Sequence, residues 1–128
     1  MELSFTIPVA PRSKKNSMRI YVNRRTHAPI VRQSEQYEKY EADSGWYMPR
    51  LPEPISGPVN VEALFYMDAA RKVDLVNLQE ALLDVLVKYR VLADDNSRVV
   101  VSMDGSRVLL DRKNPRTEVR ITEVFSDE

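Results

Sequence analysis

The sequence predicts a single α+β domain, in which a mixed β-sheet of about four to five strands packs with two helices. Its 128 residues suffice for one hydrophobic core but not for two, so we expect one domain spanning residues 1–128. Apolar and polar residues alternate near the N-terminus and again in the middle of the chain, as is typical of half-buried strands. Two other stretches carry helical signals. Strands and helices therefore interleave along the chain.

In the first half of the chain, the alternation over residues 3–9 predicts a strand. Two prolines then lead into a basic loop that contains a short strand near Met18–Val22. Ser34 is a suitable N-cap for a helix over Glu35–Ser44. The aromatic residues of this region are expected to belong to the core rather than to stack on bases; they are Tyr37, Tyr40 and Trp46.

The second half begins with a proline-rich loop and an alternating strand over Val59–Met67. The best-defined element follows, a helix over Leu75–Tyr89 with Asp74 as its N-cap. Three further strands are predicted near Arg98–Met103, Val108–Leu110 and Thr117–Thr122.

The apolar residues of the Leu75–Tyr89 helix cover most of its circumference, so we expect it to pack on more than one side. Only a narrow polar stripe remains. The first apolar arc contains Leu75, Leu78, Leu82, Val85, Leu86 and Tyr89, the second contains Val76, Leu83 and Val87, and the stripe contains Asn77, Glu80, Asp84 and Lys88.

The composition limits the metal sites and catalytic groups that the chain can form. The chain has no cysteine, which excludes disulfides and thiolate metal sites. Its single histidine, His27, cannot by itself make a zinc centre or a serine triad. A metal would need oxygen ligands, which points to magnesium or manganese. No apolar run approaches the roughly 18 residues of a membrane span. We expect a cytoplasmic protein with no membrane partner.

The net charge is zero, but the charges are unevenly distributed. Seven basic residues and no acidic residue lie between Arg12 and Arg32, and five basic residues against two acidic ones lie between Arg107 and Arg120. A basic surface separate from an acidic cluster suits a metal-dependent nuclease, which needs phosphate contacts and carboxylates. A solvated basic loop is the alternative.

The segment from Asp74 to Asp95 carries the most specific motif. It resembles the signature of the RusA family of Holliday-junction resolvases, which reads Asp-x-Asp-Asn-Leu, then a helix, then Asp-Asp. The Pro/Lys/Asn loop over Pro11–Asn16 and the closing strand over Arg116–Ile121 are also similar to that family. The likeness spans most of the chain.

This resemblance implies a homodimeric, magnesium-dependent endodeoxyribonuclease of phage or prophage type that nicks four-way DNA junctions in recombination and repair. It implies catalytic roles for Asp74 and Asp95, with Asn77 and Glu80 as further candidates. The candidate metal ligands are Asp74, Asp94, Asp95 and Glu80, for magnesium or manganese. The candidate DNA contacts are Lys14, Lys15, Asn16, Arg19, Arg24, Arg25, Arg32, Arg71 and Lys72.

Two positions depart from the family pattern. Val76 stands where the family has its second aspartate, and Glu80 stands where it commonly has a catalytic lysine. Glu80 lies one turn after Val76, so its carboxylate either replaces the missing ligand or belongs to a solvated helix face. Glu80 and Asp84 are like charges at i, i+4, which a nearby cation or a pairing of Lys88 with Asp84 would relieve.

Other readings stay open at this point. Asp74 also fits a plain N-cap, the Asp94–Asn96 segment fits a simple turn, and His27 fits a loop residue beside the DNA. The long helix spans about 22 Å, so Asp95 can approach Asp74 only if the loop doubles back or a second subunit contributes. A binding-only relative that lost cleavage through Val76, and a protein-interaction domain, are the competing functions.

Overall fold

A computed structural model describes residues 1–14 and 18–124, and for residues 18–21 and 30–33 it describes the backbone alone. It confirms an α+β domain with a mixed sheet and two helices. In chain order the elements are β1 (Glu2–Ile7), β2 (Met18–Val22), β3 (Pro29–Gln33), α1 (Glu35–Ser44), a 3-10 helix (Gly45–Tyr47), β4 (Val59–Met67), α2 (Leu75–Lys88), β5 (Val100–Ser102), β6 (Arg107–Leu110) and β7 (Arg116–Glu123).

Strand β4 lies at the centre of the five-stranded main sheet. One of its edges pairs antiparallel with β7, which in turn pairs antiparallel with β1. The other edge pairs in parallel with β5 and with β6. The ends of β1, β4 and β6 and the start of β7 therefore meet at one end of the sheet, which we call the Met67 end. The registers that define it are Ile7 with Thr117, Tyr66 with Arg116 and Met67 with Leu110.

Helix α2 is packed on two sides, as its composition predicts. One side joins the main core beneath the sheet through Leu78, Leu82 and Leu86. The adjacent side joins a smaller core shared with α1, through Ala81 and Val85 of α2. In this smaller core they meet Tyr37 and Tyr40, which are buried as expected. The helix is therefore packed between the sheet and α1.

Strands β2 and β3 form a separate antiparallel hairpin. The sequence pattern predicts β2 but not β3, because residues 29–33 begin with proline and place two apolar residues side by side instead of alternating. The side chain of Asn23 fixes the turn by accepting hydrogen bonds from the backbone N–H groups of Arg25 (2.8 Å) and Thr26 (3.2 Å). Residues 18–33 of the basic region thus form a hairpin rather than a loop with one short strand.

Two residues that were predicted to face the core are exposed, so these two predictions are wrong. Trp46 is 86% exposed, because it lies in the 3-10 helix beyond the end of α1, where the chain leaves the core. Val76 is 68% exposed, because it lies about 200° around the helix from Leu78 at 100° per residue. The second apolar arc of α2 packs against the core only farther along, at Leu83 and Val87.

No helix among residues 1–14 and 18–124 is long and apolar enough to cross a membrane.

The two faces of α2 should respond differently to truncation. Leu82 is fully buried, so Leu82→Ala should lower the free energy of unfolding by about 2–5 kcal/mol. Val76→Ala should change it by no more than about 0.5 kcal/mol. Urea unfolding followed by circular dichroism measures both values. Equal losses at the two positions would contradict the assignment of the buried faces.

Candidate active site and nucleic-acid interface

Asp74 lies immediately before α2 with an extended backbone (φ −86°, ψ 124°). Its carbonyl oxygen accepts hydrogen bonds from the N–H groups of Asn77 (3.1 Å) and Leu78 (3.2 Å), which begins the helix. Its carboxylate caps no backbone N–H group. It accepts instead a hydrogen bond of 3.2 Å from the side-chain amide of Asn77. Asp74 thus occupies the N-cap position while its exposed carboxylate remains available to a ligand.

Asn77, a candidate catalytic residue, is the hydrogen-bond partner of the Asp74 carboxylate. An amide donor at 3.2 Å restricts the orientation of the carboxylate without neutralising its charge. The catalytic roles of both residues remain predictions.

The segment after α2 forms the turn that its composition suggested. The Oδ1 atom of Asp94 accepts a hydrogen bond from the backbone N–H of Asp95 at 2.7 Å, and its Oδ2 atom accepts one from the Asn96 side chain at 3.1 Å. The side chain of Asn96 accepts the N–H of Arg98 at 2.9 Å. Asp94 therefore stabilises the turn, and the carboxylate of Asp95 is left at its surface.

The carboxyl groups of Asp94 and Asp95 influence each other. Partial loss of hydration raises the pKa of Asp95 above its ordinary value, and the hydrogen bond and negative charge of Asp94 raise it further. The negative charge of Asp84, in the second half of α2, also raises the pKa of Asp95. The chain turns back at the end of α2, where the N–H groups of Val91 (2.9 Å) and Leu92 (3.2 Å) donate to the carbonyl oxygen of Leu86.

This reversal of the chain does not assemble all the predicted ligands in one place. Among residues 1–14 and 18–124, no three acidic or histidine side chains come close enough together to hold a metal ion. Asp94 and Asp95 lie beside each other, Asp74 lies beside Asn77, and Glu80 is exposed on the polar stripe of α2.

The ion pair that the sequence suggested between Lys88 and Asp84 does not form. The Nζ atom of Lys88 lies 2.5 Å from Oε1 of Glu41, because α1 packs against this part of α2. Asp84 pairs instead with Lys14 of the N-terminal loop, at 2.7 Å. The Lys14 ammonium also lies 5.6 Å from the centre of the Tyr37 ring. Lys14 is thus held against the two helices, and its contact with DNA remains a prediction.

A basic cavity lies at the Met67 end of the sheet, next to Asp74 along the chain. The guanidinium of Arg12 makes two hydrogen bonds to the carboxylate of Asp68, at 3.0 and 2.9 Å, and lowers the pKa of Asp68 below its usual range. Arg71 lies 3.9 Å from the same carboxylate. The cavity has a volume of about 140 Å³, and its polar lining consists of Arg12, Ser13, Gln36, Arg71 and Lys72.

Arg71 and Lys72 were predicted DNA contacts, and the cavity brings them together with Arg12, which sequence analysis did not select. The signal available for Arg12 was its place at the start of the basic stretch. The contact that holds it in place, with Asp68, spans 56 residues and could not be anticipated from spacing.

The hairpin turn presents a second basic surface. Arg24, Arg25 and His27 are exposed there, and His27 has a left-handed backbone (φ 58°) that fits its predicted place in a loop. Of the remaining predicted DNA contacts, Lys15 and Asn16 lie outside the described residues, and the side chains of Arg19 and Arg32 are not described.

Residues 8–122 match the family model described as endodeoxyribonuclease RusA. The matched segment includes the basic cavity, Asp74, α2, the Asp94–Asn96 turn and most of β7. A search of curated proteins gave no match.

Proposed function

This chain belongs to the RusA endodeoxyribonuclease family, and we propose that it is a divalent-metal-dependent nuclease that resolves four-way DNA junctions by paired nicks in recombination and repair. One observation carries the proposal beyond the family match. The Asp74 carboxylate is exposed, accepts no hydrogen bond from a backbone N–H group of the helix, and is oriented by the side chain of Asn77. In the chain, Asp74 comes directly after residues 71–73, which line the basic cavity. A nuclease needs this combination of a metal-binding carboxylate and phosphate-binding cations. We also propose that the protein is cytoplasmic.

The donor chemistry fits magnesium, with manganese as a substitute. Magnesium is usually held by one or two carboxylates together with water and substrate phosphates, rather than by a cage made of protein alone. Asp74 and Asp95 would supply these carboxylates, and Asp94 would hold the turn that carries Asp95. When bound, the cation polarises the phosphodiester and lowers the pKa of an attacking water.

A homodimer forms part of the proposal. Asp74 and Asp84 are separated by about 15 Å along the axis of α2 at 1.5 Å per residue, and Asp95 lies in the electrostatic range of Asp84. A second subunit would allow the Asp95 carboxylate of one chain to approach the Asp74 carboxylate of the other. A two-fold axis would also match a junction in which two strands are cut symmetrically.

The chain's own residues have distinct tasks in this scheme. Asn77 restricts the orientation of the Asp74 carboxylate, which would help to hold the cation. Arg71 and Lys72 bind neighbouring phosphates at the cavity, while Arg24 and Arg25 bind phosphates farther along the duplex. Phosphate contacts of this kind set position and affinity without reading sequence.

A second candidate function is binding without cleavage. It is favoured by Val76, whose exposed apolar side chain occupies the position of a family aspartate on the first turn of α2. A valine offers no oxygen to a cation. The variants below separate the two functions because they measure cleavage and binding independently.

Asp74→Asn should reduce junction nicking by about 1,000-fold, because it removes a ligand charge that contributes several kcal/mol to the transition state. Its affinity for the junction should stay within about twofold of wild type. Single-turnover nicking of an end-labelled junction and fluorescence anisotropy measure the two quantities.

The control is Asp104→Asn, which makes the same charge change in the exposed turn between β5 and β6. It should cut at the wild-type rate. Wild-type nicking by Asp74→Asn would place the metal site elsewhere.

Glu80→Gln tests whether this residue replaces the missing aspartate. Residues 76 and 80 lie on adjacent turns of one helix, so either can present an oxygen to the same cation. We expect Glu80→Gln to lower nicking almost as much as Asp74→Asn, and Val76→Asp in the Glu80→Gln background to restore part of it. If Glu80→Gln nicks the junction at the wild-type rate, Glu80 is not a ligand, and the candidate metal ligands are Asp74, Asp94 and Asp95 alone.

Replacing Arg24 and Arg25 with alanine should weaken junction binding. The slope of log affinity against log salt should fall by about 0.9 for each lost phosphate contact. The matched control is the double variant Arg50→Ala with Arg107→Ala, which removes two exposed cations from other parts of the surface. A hairpin variant whose salt slope equals that of wild type would mean that the turn does not contact DNA.

A further inference from the structure

The turn between β6 and β7, residues 111–115, lies at the Met67 end of the sheet. Its first residue, Asp111, donates its N–H to the carbonyl oxygen of Met67 at 2.9 Å. The residues that flank the turn pair with β4, Leu110 with Met67 and Arg116 with Tyr66. The turn is therefore anchored on both sides to the end of β4, from which the chain continues through Asp68 to Asp74.

Hydrogen bonds inside the turn fix its conformation. The Oδ1 atom of Asp111 accepts the N–H groups of Lys113 (3.2 Å) and Asn114 (3.1 Å). Its Oδ2 atom accepts Nη1 of Arg116 at 2.9 Å, and the same Nη1 atom donates to the carbonyl of Asn114 at 3.0 Å. The Arg116 guanidinium also lies 3.8 Å from the centre of the Tyr66 ring. A turn held in this way loses little conformational entropy when it binds a partner.

These contacts leave two positive charges of the turn uncompensated. Arg116 lies 2.9 Å from the carboxylate of Asp111 and lowers its pKa, so the only acid of the turn already has a cationic partner. The same guanidinium lies 3.4 Å from Glu118 in β7. Arg112 and Lys113 are both exposed. Within residues 1–14 and 18–124, no carboxylate lies within 4 Å of either cation.

The neighbouring segments carry charges of the same sign. Arg12 and Arg71 approach the carboxylate of Asp68, which follows Met67, and Lys72 lines the same cavity. Three segments that are distant in sequence thus place basic side chains at one end of the sheet. This end adjoins Asp74, the carboxylate proposed to act on DNA.

We infer that Arg112 and Lys113 bind backbone phosphates of the DNA arm that leads to Asp74. The inference rests on the proposed function and extends its DNA surface to the β6–β7 turn. Duplex DNA carries one negative charge per about 1.7 Å of axis, so unpaired cations beside a cleavage site have ready partners along the same arm. Phosphate is the ligand, and no base contact is required.

The test is the double variant Arg112→Ala with Lys113→Ala, assayed by anisotropy on a fluorescent four-way junction over a salt series. Two lost contacts should lower the salt slope by about 1.8 and raise Kd about 30-fold at about 0.15 M salt. The swapped variant, Arg112→Lys with Lys113→Arg, keeps both charges and should bind like wild type. Arg50→Ala with Arg107→Ala serves as the charge control.

A wild-type salt slope in the alanine variant would overturn the inference while leaving junction binding, and hence the proposed function, intact. The same loss of affinity in the swapped variant would also overturn it, since that result reports a damaged turn rather than a missing charge. Wild-type protein that binds neither junction nor duplex would reject the proposed function together with the inference.

Discussion

The burial of α2 between the sheet and α1 determines what the rest of the molecule can do. Leu82 and Leu86 on one side and Ala81 and Val85 on the other are fully excluded from solvent. Rotating the helix would expose one of these sets and leave voids in a closely packed interior. The helix therefore presents a fixed polar stripe, and its first turn is held at the Met67 end of the sheet. A reactive group placed there is positioned by the core rather than by a loop.

Electrostatics adds a second constraint at the same place. The chain as a whole is neutral, yet the fold gathers cations at one end of the sheet from the N-terminal loop, from the link between β4 and α2, and from the β6–β7 turn. Several of them are balanced internally, since Arg12 and Arg71 approach Asp68, and Arg116 pairs with Asp111 and Glu118. These pairs stabilise the local structure, while the neighbouring unpaired cations remain available to an anionic partner. A zero net charge is therefore compatible with binding a polyanion through one surface.

Sequence patterns predicted the elements whose side chains follow a regular period. β4 alternates along its whole length, and α2 carries a continuous helical pattern, so both were located nearly to the residue. β3 has no such alternation and was missed. Trp46 was misplaced because burial beyond the end of a helix depends on the path of the chain. The pairing of Lys88 with Glu41 depends on how α1 and α2 pack, which no local pattern records.

The residues of the candidate site likewise fall into two groups, those that a local pattern predicts and those that only the fold brings together. The motif from Asp74 to Asp95 is local and supplied the candidate carboxylates, and the hydrogen bond from Asn77 to Asp74 joins side chains only three residues apart. The place of Arg12 depends on its contact with Asp68, and that of Arg112 and Lys113 depends on the register of β4 with β6 and β7. That register joins residues more than 40 positions apart, so it becomes visible only in the folded chain.

The most direct test of this account is cleavage by the unmodified protein. A four-way junction with each strand labelled in turn at its 5′ end should be incubated with magnesium or with a chelator, beside a linear duplex of the same sequence. The account predicts nicks at symmetric positions in two opposing strands of the junction, only with the metal, and little cutting of the duplex. Tight binding of the junction without nicks, in either magnesium or manganese, would contradict it.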